Sequence, residues 1–205
     1  MARKTKEEAQ ETYDGILQAA VNVFYEKGVR TSTLDDIARA AGVTRGAIYW
    51  HFKNKMDLFT ALHDRMHHDF TDRVMAIQNT PNQSPMQQLS DFCVETLRDI
   101  QNNEARRKIL SIFMLKCDYA CDMSGFLEDH DIKKEECHSI IETFFERAIA
   151  QGEIPKDSES RLMALSLYFY MCGIMSEQLR TPTLFKSEDC PRKLINVFFS
   201  NFRTA

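Results

Sequence analysis

The sequence predicts an all-α protein: a three-helix head carrying a helix-turn-helix, followed by a helical body, about nine helices in all. Three observations predict it. Apolar residues recur at helical spacing from Glu7 onward, and no stretch keeps a two-residue alternation for long. Gly28, Gly42 and Gly152 each close such a run, where a helix needs a residue tolerant of positive φ. Residues 34–55, LDDIARAAGVTRGAIYWHFKNK, hold two short helical patterns around one turn glycine.

In order along the chain, residues 1–8 read as a polar, basic arm. The first helix carries Ile16, Leu17, Ala20, Val21 and Phe24 on its core face. Thr33 and Asp36 form a capping box for the second, whose apolar face is Ile37, Ala38 and Ala41. Thr44 caps the third, which bears Arg45, Tyr49 and His51; Trp50 and Phe52 are expected to pack inward. Ala38, Gly42 and Ile48 stand four and six apart, the spacing of a helix-turn-helix. Asn54 caps a fourth helix running to about Asn79, with Phe59, Leu62, Met66, Phe70, Val74 and Ile77 in an unbroken stripe.

After the loop NTPNQSP, a second capping box at Ser84, Pro85 and Gln87 opens a helix with Leu89, Phe92, Cys93, Leu97 and Ile100 inward. A sixth helix from about Glu104 to Tyr119 is apolar nearly all round between Ile109 and Leu115 and should be enclosed. Gly125 marks a break before a long helix from Phe126 to Gln151. Two more, Ser158–Arg180 with the stripe Leu162, Leu165, Phe169, Cys172 and Met175–Ser176 around Gly173, and Pro191–Phe202 with Leu194, Val197, Phe198 and Phe202, close the chain. The expected division is a helix-turn-helix head over residues 1–54 and a helical body over residues 55–205.

Composition bounds the function. With 43% hydrophobic and 27% charged residues in 205, the chain can bury a proper core. No apolar run approaches the roughly 20 residues that span a bilayer, and the polar start has no signal-peptide core, so a cytoplasmic protein without membrane contact is expected. The net charge of −4 is unevenly spread: residues 1–55 hold nine Lys/Arg against seven Asp/Glu, or +2, leaving −6 elsewhere. A basic head on an acidic body suits contact with phosphate at one end. There is no Gly-rich phosphate loop, no GxSxG elbow and no paired carboxylates in a catalytic setting, so neither an enzyme nor a cofactor is expected. Six cysteines without a CxxC read as reduced, partly buried thiols.

The run GVTRGAIYWHFKNK following TSTLDDIARAA closely resembles the DNA-binding motif of the TetR/AcrR family of bacterial repressors. The opening MARKTKEEAQET, and less sharply KCDYACDM at residues 116–123, are similar to the AcrR-type regulators of multidrug efflux. The resemblance is dense over the first 60 residues and sparse afterwards. It implies a repressor that meets operator DNA through the positions of Arg45, Tyr49, His51 and Lys55, pairs as a dimer and answers a lipophilic inducer.

The residues suit these roles. Arg45 has the fork that matches guanine O6 and N7. Tyr49 and His51 can donate to phosphate or meet a thymine methyl, and Lys55 can hold a phosphate at the start of the fourth helix. Thr33 and Thr44 can serve as caps and phosphate ligands together, and Gly46 lets the backbone approach the groove. One head covers few base pairs, so a palindromic operator and a homodimer through the last two helices are expected, covering Phe198, Phe199 and Phe202. Soft, large side chains offered to an inducer, a lipophilic drug or bile-like amphiphile, are Met66, His67, Phe70, Phe92, Cys93, Phe113, Cys117, Phe144 and Tyr170. The alternative is a metal- or redox-responsive regulator of the same fold, drawing on His63 and His67, Cys117 and Cys121, or Cys137 and His138.

Overall fold

The computed structural model describes residues 6–78, 80, 82–117, 124–185 and 187–202. The described residues form nine α-helices and two 3₁₀ turns. They are α1 (Lys6–Lys27), α2 (Leu34–Ala40), α3 (Arg45–His51), α4 (Lys55–Gln78), α5 (Pro85–Asn102), α6 (Glu104–Leu115), α7 (Ser124–Ala150), α8 (Ser160–Arg180) and α9 (Cys190–Phe199). The 3₁₀ turns are Pro182–Phe185 and Ser200–Phe202. The all-α class is as the periodicity requires. Lys6 is already helical, so the expected arm is shorter; Arg3 and Lys4 lie outside the described residues. So do Tyr119 and Cys121.

The chain divides into two compact units, Met1–His68 with Lys108–Leu127, and Asp69–Arg107 with Glu128–Ala205. Helices α4, α6 and α7 each run through both. In the first unit, Ile16, Ala20 and Phe24 of α1 meet Ile37 and Ala38 of α2, Ile48 of α3, Leu58, Phe59 and Leu62 of α4, and Phe113 and Phe126. Phe59 is the hub: its ring lies 4.8 Å from Phe113, 4.8 Å from Phe126 and 6.1 Å edge-on from Phe24. Burying such side chains contributes roughly 1.5–3 kcal/mol each.

The second unit is built on α5, whose Leu89, Phe92, Cys93, Leu97 and Ile100 are all buried as the pattern requires. They pack with Ile141, Phe144, Phe145 and Ala148 of α7, Ala164 and Leu167 of α8, and Ile195 and Phe199 of α9, except that Ile100 is not part of that cluster. Gln178 Nε2 donates to the buried Leu97 carbonyl at 2.9 Å. Arg106 ties α6 to α5 and α4 through Asp99 and Asp69.

Four local expectations need correction. Gly125 lies within the first turn of α7, which begins at Ser124, so glycine there does not break the helix. Ser84 caps Gln87 N at 3.3 Å, but the Gln87 carboxamide runs along the helix to Asp91 Oδ2 at 2.9 Å, and only half of that capping box forms. Phe199 is buried in the chain's own core and Phe198 and Phe202 pack against it, because α9 lies along α5. On α8 the buried face is Met163, Ala164, Leu167 and Gln178, while Leu162 and Phe169 of the sequence stripe are exposed.

Helix ends follow the chemistry of their residues. At the end of α2, Gly42 takes φ +67°, and Gly42 N and Val43 N donate to Arg39 O (3.3 Å) and Ala38 O (3.0 Å), a Schellman turn. Space for a Cβ is open at Gly42, so the left-handed backbone alone selects glycine. Gly42→Ala should therefore lower stability by about 1 kcal/mol, read as a shifted urea midpoint with unchanged slope.

The capping box of α2 sets a second expectation. Hydrogen bonds from Lys27 and then Thr33 hold the Asp36 carboxyl down at about 2, against an ordinary value of 3.8. A depressed carboxylate stabilises the fold fully above its unfolded value and loses that contribution as pH falls toward the folded one. The stability difference between the native chain and Asp36→Asn should be constant above about pH 5 and shrink from there to about pH 2, measured by denaturant unfolding across pH.

Candidate functional site: a capped helical hairpin

Helices α2 and α3, with the end of α1 and the start of α4, form the site. Thr33 Oγ1 accepts from Asp36 N at 3.1 Å and donates to Asp36 Oδ2 at 2.8 Å, while Asp36 Oδ2 also accepts from Thr33 N at 3.1 Å. Lys27 Nζ reaches Asp36 Oδ1 at 2.9 Å, fastening α1 to α2. Thr44 Oγ1 accepts from Ala47 N at 3.2 Å, which leaves its hydroxyl hydrogen to donate outward. Ile48, fully buried, anchors the underside of α3.

With Ile48 fixed beneath, the opposite face of α3 is presented. Thr44, Arg45, Gly46, Tyr49 and Trp50 are all exposed. Arg45 lies over the Tyr49 ring at 5.5 Å, and its Nε is 3.4 Å from Asp35 Oδ1 of α2. A guanidinium over a phenol and beside a carboxylate has its position set by both. Both contacts are solvent-exposed, so they orient the side chain without binding it firmly.

Trp50 does not pack inward; it is 73% exposed. Phe52 does, stacking on Tyr13 at 5.1 Å. Two residues past Ile48 is roughly 200° around a helix, so Trp50 must face away from the anchor. A helical wheel centred on Ile48 would have found it. His51 is half-buried, its ring 4.5 Å from Trp50 and 5.8 Å from Tyr13. Lys55 lies beneath the hairpin, where its Nζ donates to the carbonyls of Arg30 at 2.8 Å and Ser32 at 2.9 Å, and burial lowers its pKa.

The nine inducer positions fall in both units. Met66, His67, Phe113 and Cys117 belong to the first unit, with Met66 and Cys117 packed against its core and Phe113 within it. In the second, Phe70 meets Phe92 edge-on at 5.6 Å, and Cys93, Phe144 and Tyr170 share the same cluster. Tyr170 donates its hydroxyl to Leu194 O at 2.8 Å. Of the groups weighed for metal or redox sensing, His63 is buried against the rings of Phe113 (5.4 Å) and Phe126 (5.1 Å). Burial pushes the Cys93 and Cys137 thiols up to about 12, and raises that of Cys172. Oxidation proceeds through the thiolate, so these three are poorly placed as redox sensors.

Comparison with known proteins agrees with this geometry. Residues 16–62 match the family described as bacterial regulatory proteins, tetR family, and residues 84–203 match the C-terminal region of MAATS-type transcriptional repressors. The chain is 34% identical over 185 residues to the HTH-type transcriptional regulator AcrR of Shigella flexneri, covering 90% of this chain and 86% of that one. Among solved structures it is similar to NalD, the secondary repressor of the MexAB-OprM multidrug efflux pump in Pseudomonas aeruginosa (30% identity, 97% and 98% coverage, TM-score 0.81). It is similar too to the SmeT–triclosan complex (26% identity, 95% and 93% coverage, TM-score 0.84), SmeT being the repressor of the Stenotrophomonas maltophilia multidrug efflux pump SmeDEF. Regulators of this kind bind operator DNA as dimers, respond to small molecules and are not enzymes. No helix among the described residues is long and apolar enough to cross a membrane. The chain belongs to the TetR family of bacterial transcriptional regulators.

Proposed function

We propose that this chain is a repressor of a multidrug efflux pump that binds a palindromic operator as a dimer and leaves it when a lipophilic drug or bile-like amphiphile binds. The carrying observation is the outward face of α3, where Arg45 is aimed and exposed beside Tyr49 on a helix anchored from below by Ile48. On this reading Arg45 bonds a guanine edge, and Gly46 admits the backbone to the groove. Thr44, Tyr49 and His51 hold phosphates, and Lys55 adds its remaining N–H to the same backbone, while Thr33, whose hydroxyl and amide both donate to Asp36, serves as the cap and not as the expected phosphate ligand. The division of labour falls near residue 54, with the body housing the inducer; of the nine side chains, Phe70, Phe92, Cys93, Phe144 and Tyr170 share the core of the second unit.

The efflux relatives support the regulated target: NalD is named for a multidrug pump, and SmeT for another with triclosan bound. For the dimer, the exposed apolar residues of α8 and α9, Leu162, Phe169 and Val197, replace the three phenylalanines as the face a second copy would cover. Inducer binding would shift helix α4 and with it the two heads, lowering the affinity of the liganded state for DNA.

Titration of a duplex from the intergenic region upstream of a neighbouring transporter gene, followed by anisotropy, tests the proposal. Arg45→Ala should weaken binding about ten- to a hundredfold, and affinity should fall steeply with salt. A panel of lipophilic compounds should include some that release the duplex; release by none would contradict the inducer reading. Trp50 is the single tryptophan, so its emission should change on binding operator DNA and stay unchanged if α3 does not approach the duplex.

A further inference from the structure

Helix α2 carries two adjacent carboxylates in its first turn, and they do different work. Asp36 is taken up by the capping box and by Lys27. Asp35, about 100° away around the helix, takes no part in that cap. Its Oδ1 has no accessible surface and accepts no hydrogen bond among the described residues. The cation beside that oxygen is Arg45 of α3, with Nε at 3.4 Å.

The atom that faces Asp35 matters. A guanidinium can fork a pair of acceptors end-on, through Nη1 and Nη2, or side-on, through Nε and one Nη. With Nε against Asp35, the end-on pair is left for guanine O6 and N7. In the free protein the two side chains are 73% and 46% exposed, so their attraction is weak. Docking against a base edge removes that water, and an ion pair strengthens as its surroundings lose polarity. Without the carboxylate, an exposed arginine is drawn to the nearest phosphate, a contact that carries no sequence information.

Given that Arg45 reads a guanine, as proposed above, we propose that Asp35 is the positioning residue for that reading. Its carboxylate holds Arg45 Nε, turns Nη1 and Nη2 toward O6 and N7, and cancels the charge that would otherwise seek phosphate. Asp35 itself meets no base. It supplies specificity and not affinity, because its negative charge near the DNA backbone disfavours every duplex alike.

Anisotropy titration of the full chain on the upstream intergenic duplex, with 7-deazaguanine placed at each guanine in turn, tests it, since that base lacks N7 and keeps its pairing. The native chain should lose about tenfold or more in affinity at one guanine in each half-site. Asp35→Ala should lose about threefold or less there, and Asp35→Asn, which keeps the shape without the charge, should lie between them. A first-turn carboxylate also favours its helix, so discrimination, not stability, is the readout that separates the two roles. On a duplex without the operator, Asp35→Ala should bind as tightly as the native chain or more so. An equal loss on both duplexes would mark a disturbed head and overturn the proposal. Discrimination as sharp in both variants as in the native chain would overturn it and spare the Arg45 reading. No discrimination by the native chain at any guanine would overturn both.

Discussion

The presentation of α3 depends on the carboxylate of Asp36. It gathers the Thr33 hydroxyl, the Thr33 amide and the Lys27 ammonium within about one side-chain length, and so joins the end of α1 to the start of α2. Hydrogen bonds of this charge-assisted kind are the stronger ones and have defined directions. Helix α3 has only seven residues, far below the length at which a helix is stable in water. Its existence and direction are imposed from outside: by the Thr44 cap at one end, the Gly42 turn behind it and Ile48 beneath. A recognition helix of this kind is rigid because its neighbours are.

Lys55 extends the same logic to α4. Its ammonium binds two carbonyls in the segment joining α1 and α2, so the first residue of α4 is fastened to the loop that ends in the capping box. Helix α4 then runs 24 residues, its first half in the core around Phe59 and its second in the core around Phe92 and Phe144. One helix thus contributes side chains to both cores.

The fold was largely legible in the residues. Caps at Thr33, Thr44 and Ser84 and left-handed glycines at 28, 42 and 152 mark helix ends by local chemistry, and each stands where the pattern puts it. Faces were less legible. Leu162 and Phe169 have the spacing of a core face yet are exposed, since spacing cannot say whether this chain or another copy will cover them. The Phe198–Phe202 cluster failed in the opposite sense, because burial there depends on α5, distant in sequence. Trp50 was misjudged from residue type, where geometry about Ile48 was the better guide.

On the proposed reading the outward face of α3 enters the major groove with Arg45 at a guanine edge. Methylation interference at guanine N7 tests it most directly, comparing the native chain with Arg45→Ala on one operator duplex. Methylating one guanine in each half-site should block the native protein and make no further difference to the variant. Binding of the native chain that ignores every guanine N7, or a variant blocked at the same two guanines, would contradict it.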